Sequence, residues 1–205
     1  MMLIPNLICD GIAVGENYNL TYDKKENVMG KTLIIITGYS AAGKSSFSRY
    51  IKSKTGVSII TFRESARELA TLYSYKYIRD FYDSENDAVK ITDSYIYSKI
   101  VESYQKVDIL IYEGVLSRNI VLKFKEDSRY NLFLCFLDVP YNIRKKRLLR
   151  REQIDEEKTK EELIRKDMIE SLMDIEWLYD NADLVLNSNQ KIDRMYEQFR
   201  GFLDI

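Results

Sequence analysis

Thr32-Leu-Ile-Ile-Ile-Thr37 runs directly into Gly38-Tyr-Ser-Ala-Ala-Gly43-Lys44-Ser45, and these two adjoining stretches decide the fold. The first is a run of aliphatic and β-branched residues, which is typical of a buried strand. The second matches G-x-x-x-x-G-K-S/T, in which glycines let backbone N–H groups turn toward a phosphate chain, the lysine binds phosphate oxygens and the hydroxyl binds magnesium. Together they predict a strand that ends in a nucleoside-triphosphate site.

Each part of this phosphate-binding loop, or P-loop, has an expected role. We expect phosphates to be cradled by Gly38, Ala41, Ala42, Gly43, Lys44, Ser45 and Ser46. Lys44 would contact the β- and γ-phosphates of ATP and support catalysis, and Ser45 would bind Mg²⁺. The stretch 45–54 has a helical pattern, and the N-terminal dipole of that helix would face the anion. A glycine-rich turn that binds nothing is the alternative.

The bulk composition limits the class of protein. The chain has 205 residues, which suits one domain with a full-sized core. Its 31 Lys and Arg residues nearly balance its 32 Asp and Glu residues, which argues against a nucleic-acid or membrane-surface partner. No apolar run approaches ~18 residues and no signal-peptide pattern opens the chain, so neither a membrane span nor secretion is predicted.

Cysteine and histidine usage limits the chemistry. The two cysteines are Cys9 and Cys135, and Cys135 lies in an apolar run. A buried free thiol and a reduced, cytoplasmic setting are therefore expected. The chain has no histidine. Any general base must then be a carboxylate or water, and histidine-dependent triads and metal sites are excluded.

Further strand patterns follow the P-loop, at 57–62, 107–112, 131–137 and 183–187. They alternate with helical patterns, although the pattern over 116–126 is ambiguous. The alternation predicts an α/β, P-loop NTPase fold over 31–205, with a doubly wound, mainly parallel five-stranded sheet and helices on both faces. Residues 1–30 form an extension with a β-hairpin pattern over 12–22. An edge ribbon or a partly disordered arm is the alternative to a functional role for this extension.

An acidic residue ends the third strand pattern. Glu113 follows four apolar residues and precedes Gly114. At that position its carboxylate would face the P-loop across neighbouring strand ends and hold the metal through water, as a Walker-B acid does. A helix N-cap or a surface charge is the alternative.

Arginines cluster after the fourth strand pattern. Arg144, Arg147 and Arg151 recur at helical spacing, so they would line one face of a helix. Positive charge there could stabilise the transferring phosphoryl group, and Arg147 and Arg151 are our candidate catalytic arginines. A solvated charged face is the alternative.

The P-loop, the stretch 108–114 and the stretch 136–152 together resemble the small P-loop kinases of nucleosides, nucleotides and related metabolites. Among these, the sequence is most similar to the uridine kinase and phosphoribulokinase group, in which a strand ends in Glu-Gly and an arginine-rich lid helix follows strand four. The resemblance implies ATP- and Mg²⁺-dependent phosphoryl transfer to a small acceptor. It also implies a lid near 147–160 and adenine bound near the turn after strand five, Asn187-Ser188-Asn189.

The chain departs from that group at the acceptor site. In the group an acidic residue just after strand two activates the acceptor hydroxyl, often within Asp-x-Phe-Tyr. Here the corresponding place holds Arg63-Glu64, and Asp80-Phe-Tyr82 comes later. Glu64 is our preferred base and Asp80 the reserve, and Asp80 and Tyr82 are also candidate substrate-binding residues.

Two arginines leave the acceptor class open. Arg63 and Arg67 resemble the arginine with which nucleoside-monophosphate kinases hold the phosphate of the acceptor, and guanidinium groups suit phosphate. An anionic acceptor would use them and a neutral nucleoside would not. The tyrosines of 70–106, a stretch predicted as two or three helical pieces, could stack on a base, with core packing as the alternative.

The leading hypothesis is therefore a cytoplasmic kinase that uses ATP and Mg²⁺ and acts on a nucleoside, a nucleotide or another small metabolite. The alternative is a regulatory or assembly NTPase that acts on a protein partner. The sequence leaves open a homodimer.

Overall fold

The computed structural model describes residues 30–203, which form one parallel sheet covered by helices on both faces. The strands are β1 Lys31–Thr37, β2 Ser58–Thr61, β3 Ile109–Glu113, β4 Tyr130–Asp138 and β5 Leu184–Asn187. They pair in the order β2-β3-β1-β4-β5, and every pair is parallel. The predicted doubly wound five-stranded sheet is confirmed, and within the described residues it is entirely parallel.

Helices connect the strands at the positions that the patterns indicated. They are α1 Lys44–Thr55, α2 Phe62–Leu72, α3 Ile78–Ser84, α4 Ala88–Ser103, α5 Arg118–Glu126, α6 Tyr141–Glu152, α7 Glu156–Leu172, α8 Ile175–Asp180 and α9 Ile192–Leu203. The ambiguous segment 116–126 is thus mostly the helix α5. Its buried residues Val121 and Phe124 face the sheet, and its polar residues face solvent.

The central strand β1 is buried on both of its faces. Leu33 and Ile35 point into a core formed with α4, α5 and α8, whereas Ile34 and Ile36 point into a core formed with α1 and α9. All four side chains are buried. A strand covered on both faces has no solvent side, so its sequence is continuously apolar rather than alternating.

A smaller core organises the helices that follow β2. Phe81 of α3 is fully buried between α2 and α4, and the rings of Tyr73, Tyr75 and Tyr82 meet it edge to face. Edge-to-face packing is a favourable arrangement of aromatic pairs. Tyr75 and Tyr82 therefore pack in this core, which was the alternative to base stacking, whereas Tyr73 is 40% exposed.

Three other expectations can be compared with the described residues. Cys135 is a buried free thiol, as predicted, and burial raises its pKa to about 12. Within 30–203, no helix combines the length and apolar character needed to cross a membrane. The hairpin predicted within 1–30 and Cys9 lie outside the described residues.

Candidate active site

The P-loop follows β1, and its backbone angles explain why glycines occupy two of its positions. The φ angles of Gly38, Ala41 and Gly43 are 135°, 64° and 102°, all in the positive region. A Cβ atom at Gly38 would lie 2.5 Å from the carbonyl oxygen of Leu137 in the neighbouring strand β4. A side chain at this position would therefore force the loop away from the sheet edge where it lies.

The first turn of α1 is suited to bind an anion. Gly43 caps this helix in a left-handed conformation and provides no side-chain acceptor, and the first turn contains no acidic residue. The backbone N–H groups at a helix start have no partners within the helix, and the helix dipole places positive charge there. The sequence thus leaves this end free for phosphate oxygens.

The Lys44 side chain folds back into the loop that precedes it. Its ammonium group donates hydrogen bonds to the carbonyl oxygens of Tyr39, at 3.0 Å, and Gly38. Burial lowers its pKa, while the nearby carboxylates of Glu170 and Glu113 act in the opposite direction. The lysine therefore lies inside the cradle that the motif predicts for phosphate.

The predicted metal-binding residues lie next to each other. In the sheet, Glu113 of β3 is paired with Ile36 of β1, so the end of β3 lies beside the start of the P-loop. The Ser45 hydroxyl donates a hydrogen bond of 3.0 Å to Oε1 of Glu113, which is largely buried. One hydroxyl and one carboxylate fit the preference of Mg²⁺ for oxygen ligands, so this donor set is suited to the ion, and metal binding stays a prediction.

Arg147 of α6 forms hydrogen bonds with both the P-loop and the turn after β5. Its guanidinium donates to the carbonyl oxygens of Ala42, at 2.9 Å, and of Ser188, at 2.6 Å. The Ser188 hydroxyl in turn donates to the Ala42 carbonyl at 2.6 Å. Asn187, predicted near adenine, stabilises the same turn by accepting a bond from the Asn189 N–H group. Ser188 belongs to the turn that the sequence predicts near adenine, but its contact with the P-loop was missed, because nothing in a serine after a strand signals such a partner.

The other two arginines of the cluster have different partners. Arg144 is buried and makes a bidentate pair with Asp167 of α7, at 2.7 and 2.9 Å, and its guanidinium carbon lies 4.7 Å from the centre of the Tyr39 ring. Arg151 instead pairs with its neighbour Glu152 at a more exposed position. Arg151 still lies close enough to Lys44 to lower the pKa of the lysine. All three arginines thus lie near the P-loop, which Arg144 and Arg147 contact through hydrogen bonds, whereas Arg151 affects Lys44 through its charge.

A carboxylate that sequence reasoning missed contacts the P-loop. Oε2 of Glu170, on α7, accepts a hydrogen bond of 3.0 Å from the backbone N–H of Ser40. Burial raises the pKa of Glu170, and the charge of Lys44 and the bond from Ser40 oppose this effect. The only sequence signal for Glu170 is its spacing of one helical turn from Asp167. This signal is weak, because α7 is rich in carboxylates.

With this geometry in place, comparison with known proteins identifies the family. A family model described as an AAA domain matches residues 34–171, which include the P-loop, Glu113 and Glu170. The chain belongs to the AAA-domain family.

The chain is also similar to other proteins in sequence and to solved structures in fold. The chain is 26% identical, over 179 residues, to a UPF0200 protein of Saccharolobus islandicus, covering 82% of this chain and 88% of the relative. Its fold is similar to that of a shikimate kinase from Bacteroides thetaiotaomicron, with TM-score 0.61, 14% identity and coverage of 85% and 99% of the two chains. It is also similar to a sugar kinase from Janibacter, with TM-score 0.57, 16% identity and coverage of 85% and 95%. The fold is therefore that of the P-loop kinases.

The residues predicted on the acceptor side of the AAA domain lie on α2 and α3. Glu64 is exposed and forms a capping box at the start of α2, where its backbone N–H donates to the Thr61 hydroxyl and its carboxylate accepts from that hydroxyl. Arg63, Arg67 and Asp80 are exposed. No hydrogen bond or ion pair within 30–203 joins these side chains to the P-loop, and their roles stay predictions.

Tyr82 and a second missed carboxylate lie beneath the predicted acceptor side. The Tyr82 hydroxyl donates to the Thr92 hydroxyl at 2.9 Å. Asp93, the next residue of α4, is buried, and burial raises its pKa while a hydrogen bond from Ser117 lowers it. Ser117 caps α5 just after the end of β3. A carboxylate whose pKa is raised by burial is a feature that often accompanies functional sites.

The predicted lid near 147–160 consists of the end of α6, a short connection and the start of α7. A cleft of about 510 Å³ separates it from α3 and contains no P-loop residue. Its lining is charged and comprises Arg79, Glu152, Ile154, Lys158, Glu161, Glu162, Arg165 and Lys166. Because the cationic and anionic side chains are nearly balanced, the lining alone favours no class of acceptor.

Proposed function

We propose that this AAA-domain protein transfers a phosphoryl group from ATP, with Mg²⁺, to a small metabolite. The proposal rests mainly on one observation, the hydrogen-bonded pair of Ser45 and Glu113 beside Lys44 at the end of a kinase-like sheet. Phosphoryl transfer depends on positioning and on neutralising charge, and these three side chains are of the types that both tasks require.

The chain's own residues would divide the work. Ser45 and Glu113 would hold Mg²⁺, whose positive charge would offset the negative charge of the phosphate oxygens. Lys44 would exchange its two loop carbonyls for phosphate oxygens. Arg147 would keep the loop in its binding shape, and Arg151 would approach the transferring group from the lid.

For the acceptor, we propose a compound with a free hydroxyl, and a nucleoside or nucleotide in particular. The hydroxyl is supported by the folds shared with proteins named shikimate kinase and sugar kinase, and the nucleoside by the resemblance to the uridine kinase and phosphoribulokinase group. Glu64, with Asp80 in reserve, would take the proton of the hydroxyl. Arg63 and Arg67 are exposed cations that would bind a phosphate on the acceptor.

A second candidate function is a regulatory or assembly NTPase with a protein partner. The observation that favours it is an apolar stripe on the outer face of α7, where Ile164, Met168 and Leu172 are 47%, 65% and 72% exposed. Contiguous exposed apolar side chains commonly mark interaction surfaces. A homodimer is one form that such a partner could take.

ADP formation from Mg-ATP, measured with and without a panel of nucleosides, nucleoside monophosphates and sugars, tests the two candidates. Stimulation by one acceptor class, lost in Lys44→Ala and kept in the exposed control Lys52→Ala, would support the kinase. ATP binding without stimulation by any small acceptor would favour the regulatory NTPase. Glu64→Gln should abolish transfer and leave ATP binding intact, and unchanged transfer would exclude Glu64 as the base.

A further inference from the structure

Glu170 of α7 binds to the backbone of the P-loop, at a place where a nucleotide phosphate is expected. Its side chain reaches from α7 to the loop, where Oε2 lies 3.0 Å from the Ser40 nitrogen. The residue is only 9% exposed. A buried carboxylate is therefore bound to a backbone N–H of the element that the motif provides for phosphate.

The positive charges near Glu170 neutralise its negative charge only in part. The cations that face it are Lys44 from α1 and Arg144 from α6, and the anion Asp167 lies on its own helix. Tyr39 of the P-loop donates its hydroxyl to Glu176 instead. Within residues 30–203 Glu170 forms no ion pair, because Arg144 pairs with Asp167 and Lys44 donates to loop carbonyls.

A bound triphosphate would compete with this carboxylate. The loop N–H groups and Lys44 are the groups that bind β- and γ-phosphates, and Glu170 interacts with both kinds. Two anions that share these donors repel one another strongly at a partly buried site. Protonation of Glu170, which burial favours, would remove the repulsion.

We propose that Glu170 is an internal anion of the P-loop, which takes the place of a terminal phosphate and must lose its charge or leave the loop when a nucleoside triphosphate binds. This inference rests on the proposed function only through its nucleotide site and is independent of the acceptor. Because Glu170 belongs to α7, its departure would also couple nucleotide binding to the position of that helix.

The test is an equilibrium titration of the full chain with Mg-ATP and Mg-ADP at pH 6 and pH 8. Glu170→Gln keeps the side-chain volume and an acceptor for the Ser40 N–H group but removes the charge. We expect it to bind ATP about tenfold more tightly than the wild type at pH 8, because one nearby negative charge is gone. The gain should be smaller for ADP, and smaller at pH 6 than at pH 8, because burial raises the pKa of Glu170 and a falling pH therefore favours its neutral form.

Three comparisons make the result specific. The exposed residue Glu157 lies on the same helix, and Glu157→Gln should leave affinity within about twofold of the wild type. The ratio between variant and wild type at each pH cancels the titration of ATP itself. Glu170→Asp keeps the charge and should not gain affinity.

Equal or weaker ATP binding by Glu170→Gln, in a variant with wild-type circular dichroism, would overturn the internal-anion proposal while the nucleotide site stands. Absence of ATP binding in the wild type, in Glu170→Gln and in Lys44→Ala alike would overturn the proposed function together with it. Binding by Glu170→Gln but not by the wild type would support the proposal most strongly.

Discussion

The Ser45 hydroxyl and Oε1 of Glu113 lie 3.0 Å apart, although 68 positions separate the two residues in the chain. The parallel pairing of β1 with β3 produces this contact, because the carboxyl ends of both strands meet at one edge of the sheet. The hydroxyl comes from the first turn of α1 and the carboxylate from the last residue of β3.

The first prediction concerns this pair. Glu113→Gln removes the only charge of the pair, so we expect the Mg²⁺ concentration needed for half-maximal ATP binding to rise by about 10- to 100-fold. A titration of ATP binding against Mg²⁺ measures this shift without knowledge of the acceptor. The exposed control Glu126→Gln should behave as the wild type, and an unchanged Mg²⁺ requirement in Glu113→Gln would remove Glu113 from the metal site.

The second prediction separates the two candidate catalytic arginines. Arg147→Ala removes a donor from the carbonyls of Ala42 and Ser188, of which Ala42 keeps the Ser188 hydroxyl, so the free energy of unfolding should fall by about 1 to 3 kcal/mol. Arg151→Ala breaks only an exposed pair with Glu152 and should change it by less than about 0.5 kcal/mol. Urea denaturation measures both. Equal losses would show that the contacts of Arg147 do not stabilise the loop.

The third prediction compares two glycines with positive φ angles. At Gly114 an added Cβ would overlap the Cβ of Phe62, whereas at Gly56 it would meet no atom within 4 Å. Gly114→Ala should therefore destabilise the protein by about 3 to 5 kcal/mol, through overpacking and backbone strain together. Gly56→Ala should cost only the strain, about 1 kcal/mol. Thermal or urea unfolding of the two variants checks the difference, and similar costs would contradict the close contact between β3 and α2.

The fourth prediction concerns the pH dependence of stability. Burial raises the pKa of Asp93 above its ordinary value of 3.8, so between these two pKa values the folded protein holds a proton that the unfolded chain has lost. This group therefore makes the free energy of unfolding fall as the pH rises through that window. Asp93→Asn removes the contribution and should flatten the profile, raising stability most at neutral pH.

Urea unfolding between pH 4 and pH 7 provides the measurement for Asp93. The exposed control Asp180→Asn should retain the wild-type slope. A slope that is the same in Asp93→Asn and the wild type would show that the carboxylate is solvated in the folded state.

The sequence predicted those features that depend on local pattern. The strand before the P-loop was recognisable because burial on both faces requires Leu33 to Ile36 to be apolar without interruption. The proximity of Glu113 to the loop followed from the rule that parallel strands end at one edge. These inferences need no knowledge of side-chain packing.

The features that the sequence did not predict depend on contacts between distant segments. Arg144 and Arg147 are the same type of residue and lie on one face of α6. Asp167 nevertheless binds the first, and backbone carbonyls bind the second. Glu170 itself and the P-loop contact of Ser188 were missed for the same reason, because the partners of each lie more than a hundred positions away in the P-loop. Spacing along one helix cannot identify such partners.

The hydrogen bond from Ser188 to Ala42 also bears on how the site is assembled during folding. It joins residues 146 positions apart, and the P-loop therefore receives this bond only after β5 has paired with β4. A growing polypeptide that ends before residue 188 contains the complete nucleotide motif but lacks the bond that fixes it. Since contacts of such long range form late, competence to bind a nucleotide should be among the last properties that the folding chain acquires.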